Sequence, residues 1–146
     1  MNEYLIFDVG ERTLGIDVRH VRQVVRAAAL SATGQENTML EGLLNLRGQP
    51  IPVLNLTAHL GIIQAPLCDT DYLLIVRDHA DRAFAIRSNS DVQLVEAEQT
   101  ERPNPAIATA KITGLIQFDS KLVSLLDPDV LSPHSSEQID QGQGGR

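Results

Sequence analysis

The chain has no tryptophan, only two tyrosines and only three phenylalanines in 146 residues. It therefore has few flat side chains on which nucleobases could stack. Positive charge is also scarce. Twelve Lys and Arg stand against nineteen Asp and Glu, a net charge of −7. The cations form no cluster, which excludes the electrostatic footprint of a nucleic-acid-binding surface and works against an anionic membrane. A single cysteine, Cys68, cannot form an internal disulfide. No catalytic signature surrounds it, so the thiol reads as inert. No apolar run approaches the length of a membrane span, and Met1-Asn2-Glu3-Tyr4 lacks the basic and apolar regions of a signal peptide. These absences point to a cytoplasmic protein that does not insert into a membrane.

Recognisable chemistry is missing too. His20, His59, His79 and His134 are scattered, with no metal-ligand spacing to one another or to cysteine. His20 and His59 read as helix-surface residues. No phosphate loop, Rossmann glycine fingerprint or nucleophile elbow occurs. Asp8, Asp17 and Glu41 are carboxylates without an evident partner, and Asp17 reads as a helix cap. The expectation is a chain with no catalytic residue, no cofactor and no metal.

What the chain does have is an internal repeat, which bears directly on architecture. The run from Gly42 to Asn55 returns, degraded, from Gly114 to Asp127. Leu43, Leu44, Leu46, Ile51, Val53 and Leu54 all meet apolar partners at an offset of 72. Upstream, Tyr4-Leu5-Ile6-Phe7 matches Tyr72-Leu73-Leu74-Ile75, and Leu14-Gly15-Ile16 matches Phe84-Ala85-Ile86. The halves run from about residue 4 to 62 and from about 72 to 131. A unit of about 60 residues is marginal alone, so the halves are expected to pack together.

Hydrophobic periodicity divides each half into short strands. Strands are expected at Leu5–Val9, Thr13–Ile16, Leu43–Leu46 and Ile51–Leu56, then at Tyr72–Val76, Arg82–Ile86, Val92–Val95, Leu115–Phe118 and Leu122–Leu126. Asp17 is expected to cap a helix with Val18, Val21 and Val25 on one face. Thr57 is expected to cap Ala58-His59-Leu60, which Gly61 ends. Loops are expected at 27–39 and 97–110. Pro50 and Pro52 share a parity, so their missing N–H groups fall on one side of the strand. That side should lie at an edge or a barrel seam. Short strands with frequent turns indicate small barrels or a sandwich. From Ser135 to Arg146 the chain has almost nothing to bury and reads as a disordered tail after a folded domain of residues 1–134.

Arg47 lies at the tip of an apolar hairpin beside Gly48, and Asn45 shares its parity. The plain reading is a solvated tip. The sharper one is a partner anchor, a role that suits the planar guanidinium fork. Asp119 stands at the equivalent position of the second copy, so the repeat itself does not demand arginine there.

Glu41-Gly42-Leu43-Leu44-Asn45-Leu46-Arg47-Gly48, followed by Pro50-Ile51-Pro52-Val53 and a leucine-rich helix, resembles the signature of the CheW-like family. Tyr4-Leu5-Ile6-Phe7-Asp8, Gly15-Ile16-Asp17-Val18 and Val21-Arg22-Gln23-Val24-Val25 are similar in the same order. The resemblance covers about residues 3 to 131. It implies a mainly β fold: two SH3-like five-stranded barrels packed over a shared hydrophobic core, with short helices. It also implies a non-enzymatic adaptor that couples the cytoplasmic tip of a methyl-accepting chemoreceptor to the regulatory domain of a CheA-type histidine kinase. Arg47, Asn45, Gly42, Val21, Gln23 and Val24 match positions linked to those partner surfaces, and Asn89 falls near the receptor groove.

The sequence departs from the family pattern in places. Asn89 stands where an apolar residue is expected and Arg87 where an acid is. Gln23 replaces a frequent glutamate, and Asn55-Leu56-Thr57 replaces Asp-Leu-Arg. The resulting expectation is a weakened receptor groove. Two alternatives follow: a divergent scaffold that binds only the kinase or other CheW-like domains, for example in a type IV pilus pathway, and a small-molecule-binding β-barrel protein.

Overall fold

A computed structural model describes residues 2–31, 38–99 and 111–134. The expected tail, most of the 97–110 loop and the middle of the 27–39 loop lie outside the described residues. Ten strands form two five-stranded sheets. They are β1 (Asn2–Val9), β2 (Arg12–Asp17), β3 (Val21–Arg26), β4 (Leu40–Leu46), β5 (Gln49–Leu54), β6 (Tyr72–Arg77), β7 (Ala83–Ser88), β8 (Gln93–Ala97), β9 (Ile112–Phe118) and β10 (Lys121–Leu126). Helix α1 (Leu56–Leu60) follows β5, and α2 (Pro128–Leu131) follows β10.

Neither sheet coincides with one half of the sequence. The first runs β8-β1-β2-β10-β9 and the second β3-β6-β7-β5-β4. Shifting every strand number of the first sheet by five, counted cyclically, generates the order of the second. Each half therefore contributes strands to both sheets. The seams correspond as well. In the first sheet β2 and β10 pair in parallel at Leu14↔Ser124 and Gly15↔Leu125. In the second, β5 and β7 pair in parallel at Val53↔Ala85. That second pairing lies beyond Pro52, where the strand regains a free N–H, so the proline-bearing strand does sit at a seam.

Each sheet curls into an SH3-like barrel closed by an isolated bridge, Gln99↔Ile116 in the first and Ser31↔Leu43 in the second. Closure explains why glycine matches glycine in the repeat. A Cβ on Gly42 would lie 2.8 Å from the Ser31 carbonyl oxygen and 2.9 Å from Leu30 Cβ. A Cβ on Gly114 would meet the Gln99 side chain instead. Backbone cannot retreat as a glutamine side chain can. Gly42→Ala should thus cost about 1–3 kcal/mol through overpacking, with Gly114→Ala costing clearly less. Urea unfolding of the two variants checks this, and equal losses would mean that closure does not set the glycine requirement.

The β1–β2 and β6–β7 hairpins are buried on both faces, which is why they read as near-continuous apolar runs. Phe7, Val9, Leu14 and Ile16 meet Leu74, Val76, Phe84 and Ile86 in one core shared by the barrels, joined by Leu54, Leu56, Ile62, Leu126 and Leu131. The opposite faces fill the barrel interiors. Tyr4, Ile6, Val95, Ile116, Val123 and Leu125 occupy the first, and Leu44, Ile51, Val53, Leu73, Ile75 and Ala85 the second. Each large apolar side chain withdrawn from water this way contributes about 1.5–3 kcal/mol.

Two local expectations need correction. Asp17 does cap a turn, accepting a hydrogen bond from the Arg19 backbone N–H at 2.9 Å, but the helix is a single 3-10 turn, Val18–His20. Val21 and Val25 belong to β3, whose valines pack against β6 with a register shift between Val21 and Gln23. Asn55, not Thr57, caps α1. Its Oδ1 accepts from the Ala58 N–H at 3.2 Å, while Thr57 Oγ1 donates to the Ile62 carbonyl at 2.6 Å. Gly61 ends the helix in the left-handed region, φ 71°.

Candidate functional site: a barrel-end turn and a cleft between barrels

The β4–β5 hairpin closes through Arg47 and Gly48, both with positive φ, 53° and 82°. Two such residues form the tight turn whose twist suits a hairpin. Asn45 Oδ1 accepts a hydrogen bond from the Gly48 N–H at 2.9 Å and fixes the turn from one strand. Arg47 is exposed, and its guanidinium makes no hydrogen bond or ion pair among the described residues. Gly42 lies at the other end of the strand and is buried under the closing segment. The turn thus presents a cation that is unpaired among the described residues on a braced support. Its counterpart, Asp119-Ser120, has the same backbone shape, φ 53° and 65°, and the opposite charge.

A second feature lies between the barrels. Leu5 of β1, Val24 of β3, Tyr72 of β6 and Leu94 of β8, with Asp91 and Val92 from the β7–β8 crossover, line an open cleft of about 470 Å³. Val24 is 38% exposed and Leu94 55%, so two large apolar side chains face solvent on opposite walls. Gln23 is exposed beside Val24, and Val21 is half-buried against the shared core. Arg26 brackets Tyr72, its guanidinium 5.3 Å from the ring centre and 3.0 Å from the phenol oxygen.

Arg87 and Asn89 line none of this cleft. Arg87 is 2% exposed. Its Nε and one terminal nitrogen donate to the two oxygens of Glu41 at 2.8 and 2.9 Å, the other terminal nitrogen donates to Asp71 at 2.7 Å, and the Ala65 carbonyl accepts at 2.8 Å. Burial alone would lower the guanidinium pKa, but the two carboxylates outweigh it and raise it. Asn89 instead ties the crossover to the β1–β2 turn. Its N–H donates to the Asp8 carbonyl at 2.8 Å, and its Oδ1 accepts from the Gly10 N–H at 2.7 Å. Neither residue, each expected to weaken a groove, contributes a side chain to the lining of this cleft. Both residues act within the fold, and five of the six lining side chains are apolar or aromatic. The sequence signal for Arg87 was a cation inside the apolar run of β7, which needs a buried counter-charge.

The remaining polar clusters brace the frame. Asp78 accepts from Ser132 Oγ at 2.7 Å and from the N–H groups of Ala80 and Arg82, pinning the segment after α2 to the β6–β7 turn. Burial would raise the Asp78 pKa, but these hydrogen bonds and the Arg82 charge hold it below the usual carboxylate value. His79 meets Asp129 at the same junction. Among the described residues no three His, Cys, Asp or Glu side chains gather to hold a metal ion, and no helix is long and apolar enough to cross a membrane.

A family model described as "CheW-like domain" matches residues 3–135. "Chemotaxis protein CheW" of Klebsiella aerogenes is 29% identical over 143 residues, covering 94% of this chain and 84% of that protein. The protein of the same name from Thermotoga maritima is 27% identical over 128 residues, covering 87% and 85%. The crystal structure of scaffolding protein TtCheW from Thermoanaerobacter tengcongensis superposes with a TM-score of 0.79 at 22% identity, covering 89% of this chain and 86% of that one, a likeness of fold.

Proposed function

Because the chain belongs to the CheW-like domain family, we propose that it is a non-enzymatic chemotaxis adaptor acting in the cytoplasm, coupling the tip of a chemoreceptor to the regulatory domain of a CheA-type histidine kinase. An adaptor needs two surfaces that partners can occupy independently. The observation that carries the reading is the presence of two such surfaces on different elements: the charged Arg47-Gly48 turn at a barrel end, and the apolar cleft between barrels. The names of the relatives agree with it.

In this reading Arg47 meets the kinase, with Asn45 shaping its turn and Gly42 allowing the barrel under it to close. Val24 meets the receptor in the cleft, flanked by Gln23 and backed by Val21. Asn89 acts behind the surface by holding the crossover. The adaptor unit in this reading is residues 1–134.

Binding measured separately and together against a kinase regulatory domain and a receptor-tip hairpin from the same organism tests the proposal. A ternary complex is the expected result. Binding to the kinase domain alone would reduce the chain to a kinase-only scaffold, and binding to neither would overturn the adaptor reading.

A further inference from the structure

We infer that Asp91 determines specificity in the inter-barrel cleft, selecting a partner segment whose apolar ridge carries a lysine or arginine opposite it. The inference rests on reading the cleft as a docking surface. Asp91 is the one charged residue among the six that line it. It is exposed, and its carboxylate makes no ion pair or hydrogen bond among the described residues.

Its place is fixed by its neighbours. Ser90 Oγ donates to an Asp8 carboxylate oxygen at 3.1 Å, Ser88 Oγ donates to the Ser90 carbonyl at 2.8 Å, and Asn89 is tied on both sides to the β1–β2 hairpin. The crossover therefore presents Asp91 from a braced backbone, so less ordering entropy opposes binding.

The surrounding charge is mostly acidic. A smaller cleft on the far side of Asp91 adds Asp8 and Asp119, with Lys121 as the only cation lining it. No cation lines the opposite wall, and the arginines flanking Val24 on β3 are engaged elsewhere. Arg22 pairs with Asp81 at 3.0 Å and Arg26 with Tyr72. A partner cation thus finds, on the crossover before β8, an acid that is unpaired among the described residues, and no charge among the residues lining the β3 wall. That asymmetry sets the orientation of an apolar segment that would otherwise fit either way round.

The test uses the full chain and a receptor-tip hairpin, with association and dissociation rates followed across salt concentration. Asp91→Lys should slow association about tenfold and flatten its salt dependence while barely changing dissociation. Reversing the facing cation of the hairpin to glutamate should restore the rate. Val24→Asp, on the other wall, should abolish binding whatever stands at position 91. If Val24→Asp abolishes binding while Asp91→Lys binds as wild type, the cleft docks the partner but Asp91 selects nothing, and the inference is overturned. If neither variant changes binding, the docking reading falls with it. Unchanged melting curves exclude unfolding as a cause.

Discussion

Replacing Arg87 with methionine should destabilise the protein by about 3–5 kcal/mol, because removing one partner of a buried ion network leaves uncompensated charge behind. Methionine is close to arginine in length and unbranched, so lost packing is a minor part of the change. What remains is Asp71, 3% exposed, and Glu41, whose side chain is 19% exposed. Three charge-assisted hydrogen bonds and the bond to Ala65 go with the guanidinium.

The network spans distant segments, since Glu41 lies on β4, Arg87 on β7, and Ala65 and Asp71 on the connection from α1 to β6. Asp71 also accepts from the Cys68 N–H at 3.0 Å, and its carbonyl accepts from Ala27. The connection should therefore loosen along with the core, and hydrogen exchange over 62–71 should rise more than over β9–β10. A companion variant separates the causes. Arg87→Met combined with Glu41→Leu and Asp71→Asn removes the orphaned charges and keeps the acceptor for Cys68. It should recover most of the loss, because an apolar replacement of a whole buried ion network is often neutral. A loss below about 1 kcal/mol for Arg87→Met alone in urea unfolding would mean that the carboxylates stay solvated, contrary to this account.

That network shows where sequence reading stops. The partners of Arg87 lie 46 and 16 residues away, and nothing in local pattern connects them. Hairpins were legible because their pairing is local and period-2 alternation or a tight turn marks them. Every expected strand has a counterpart, though Arg82 and Val92 lie just outside β7 and β8, Asn55 caps α1 and Leu56 belongs to it. The repeat also placed the matching glycines and the matching turns. It did not tell which strands pair across halves, since β1–β8, β3–β6 and the two parallel seams are contacts between segments far apart in sequence.

Val21 to Val25 misled for a physical reason. Valines at 18, 21 and 25 fit one helix face, yet branching at Cβ favours extended backbone once a sheet edge is available. Thr57 misled as a cap because Asn55 caps as well, and the Thr57 hydroxyl is taken by the Ile62 carbonyl. The cleft was legible only through Val24. Leu5, Tyr72, Val92 and Leu94 read as ordinary strand residues until the interleaved topology brings four strands and a crossover together.

Arg47→Glu should weaken binding to the kinase regulatory domain on the order of a hundredfold, about 2.8 kcal/mol, while leaving the melting curve in place. Stability is spared because Arg47 is exposed and unbonded among the described residues, and surface changes of that kind usually shift stability by about 0.5 kcal/mol or less. The turn keeps its shape, since its support comes from Asn45 and Gly48 and glutamate meets the same left-handed backbone cost as arginine. Binding should suffer because an anion replaces a cation that, in the proposed complex, lies against the partner.

Arg47→Lys separates charge from geometry. It keeps the positive charge but loses the bidentate fork, so an intermediate loss is expected if the partner presents a carboxylate. Asn45→Ala supplies the complementary case, weakening binding modestly by loosening the turn rather than by removing the cation. Calorimetric titration of the wild type and the three variants, with thermal unfolding alongside, distinguishes the possibilities. Wild-type affinity in Arg47→Glu would return the residue to a solvated hairpin tip. A fall in melting temperature of more than a few degrees would make its role structural, which the exposed guanidinium, unbonded among the described residues, argues against.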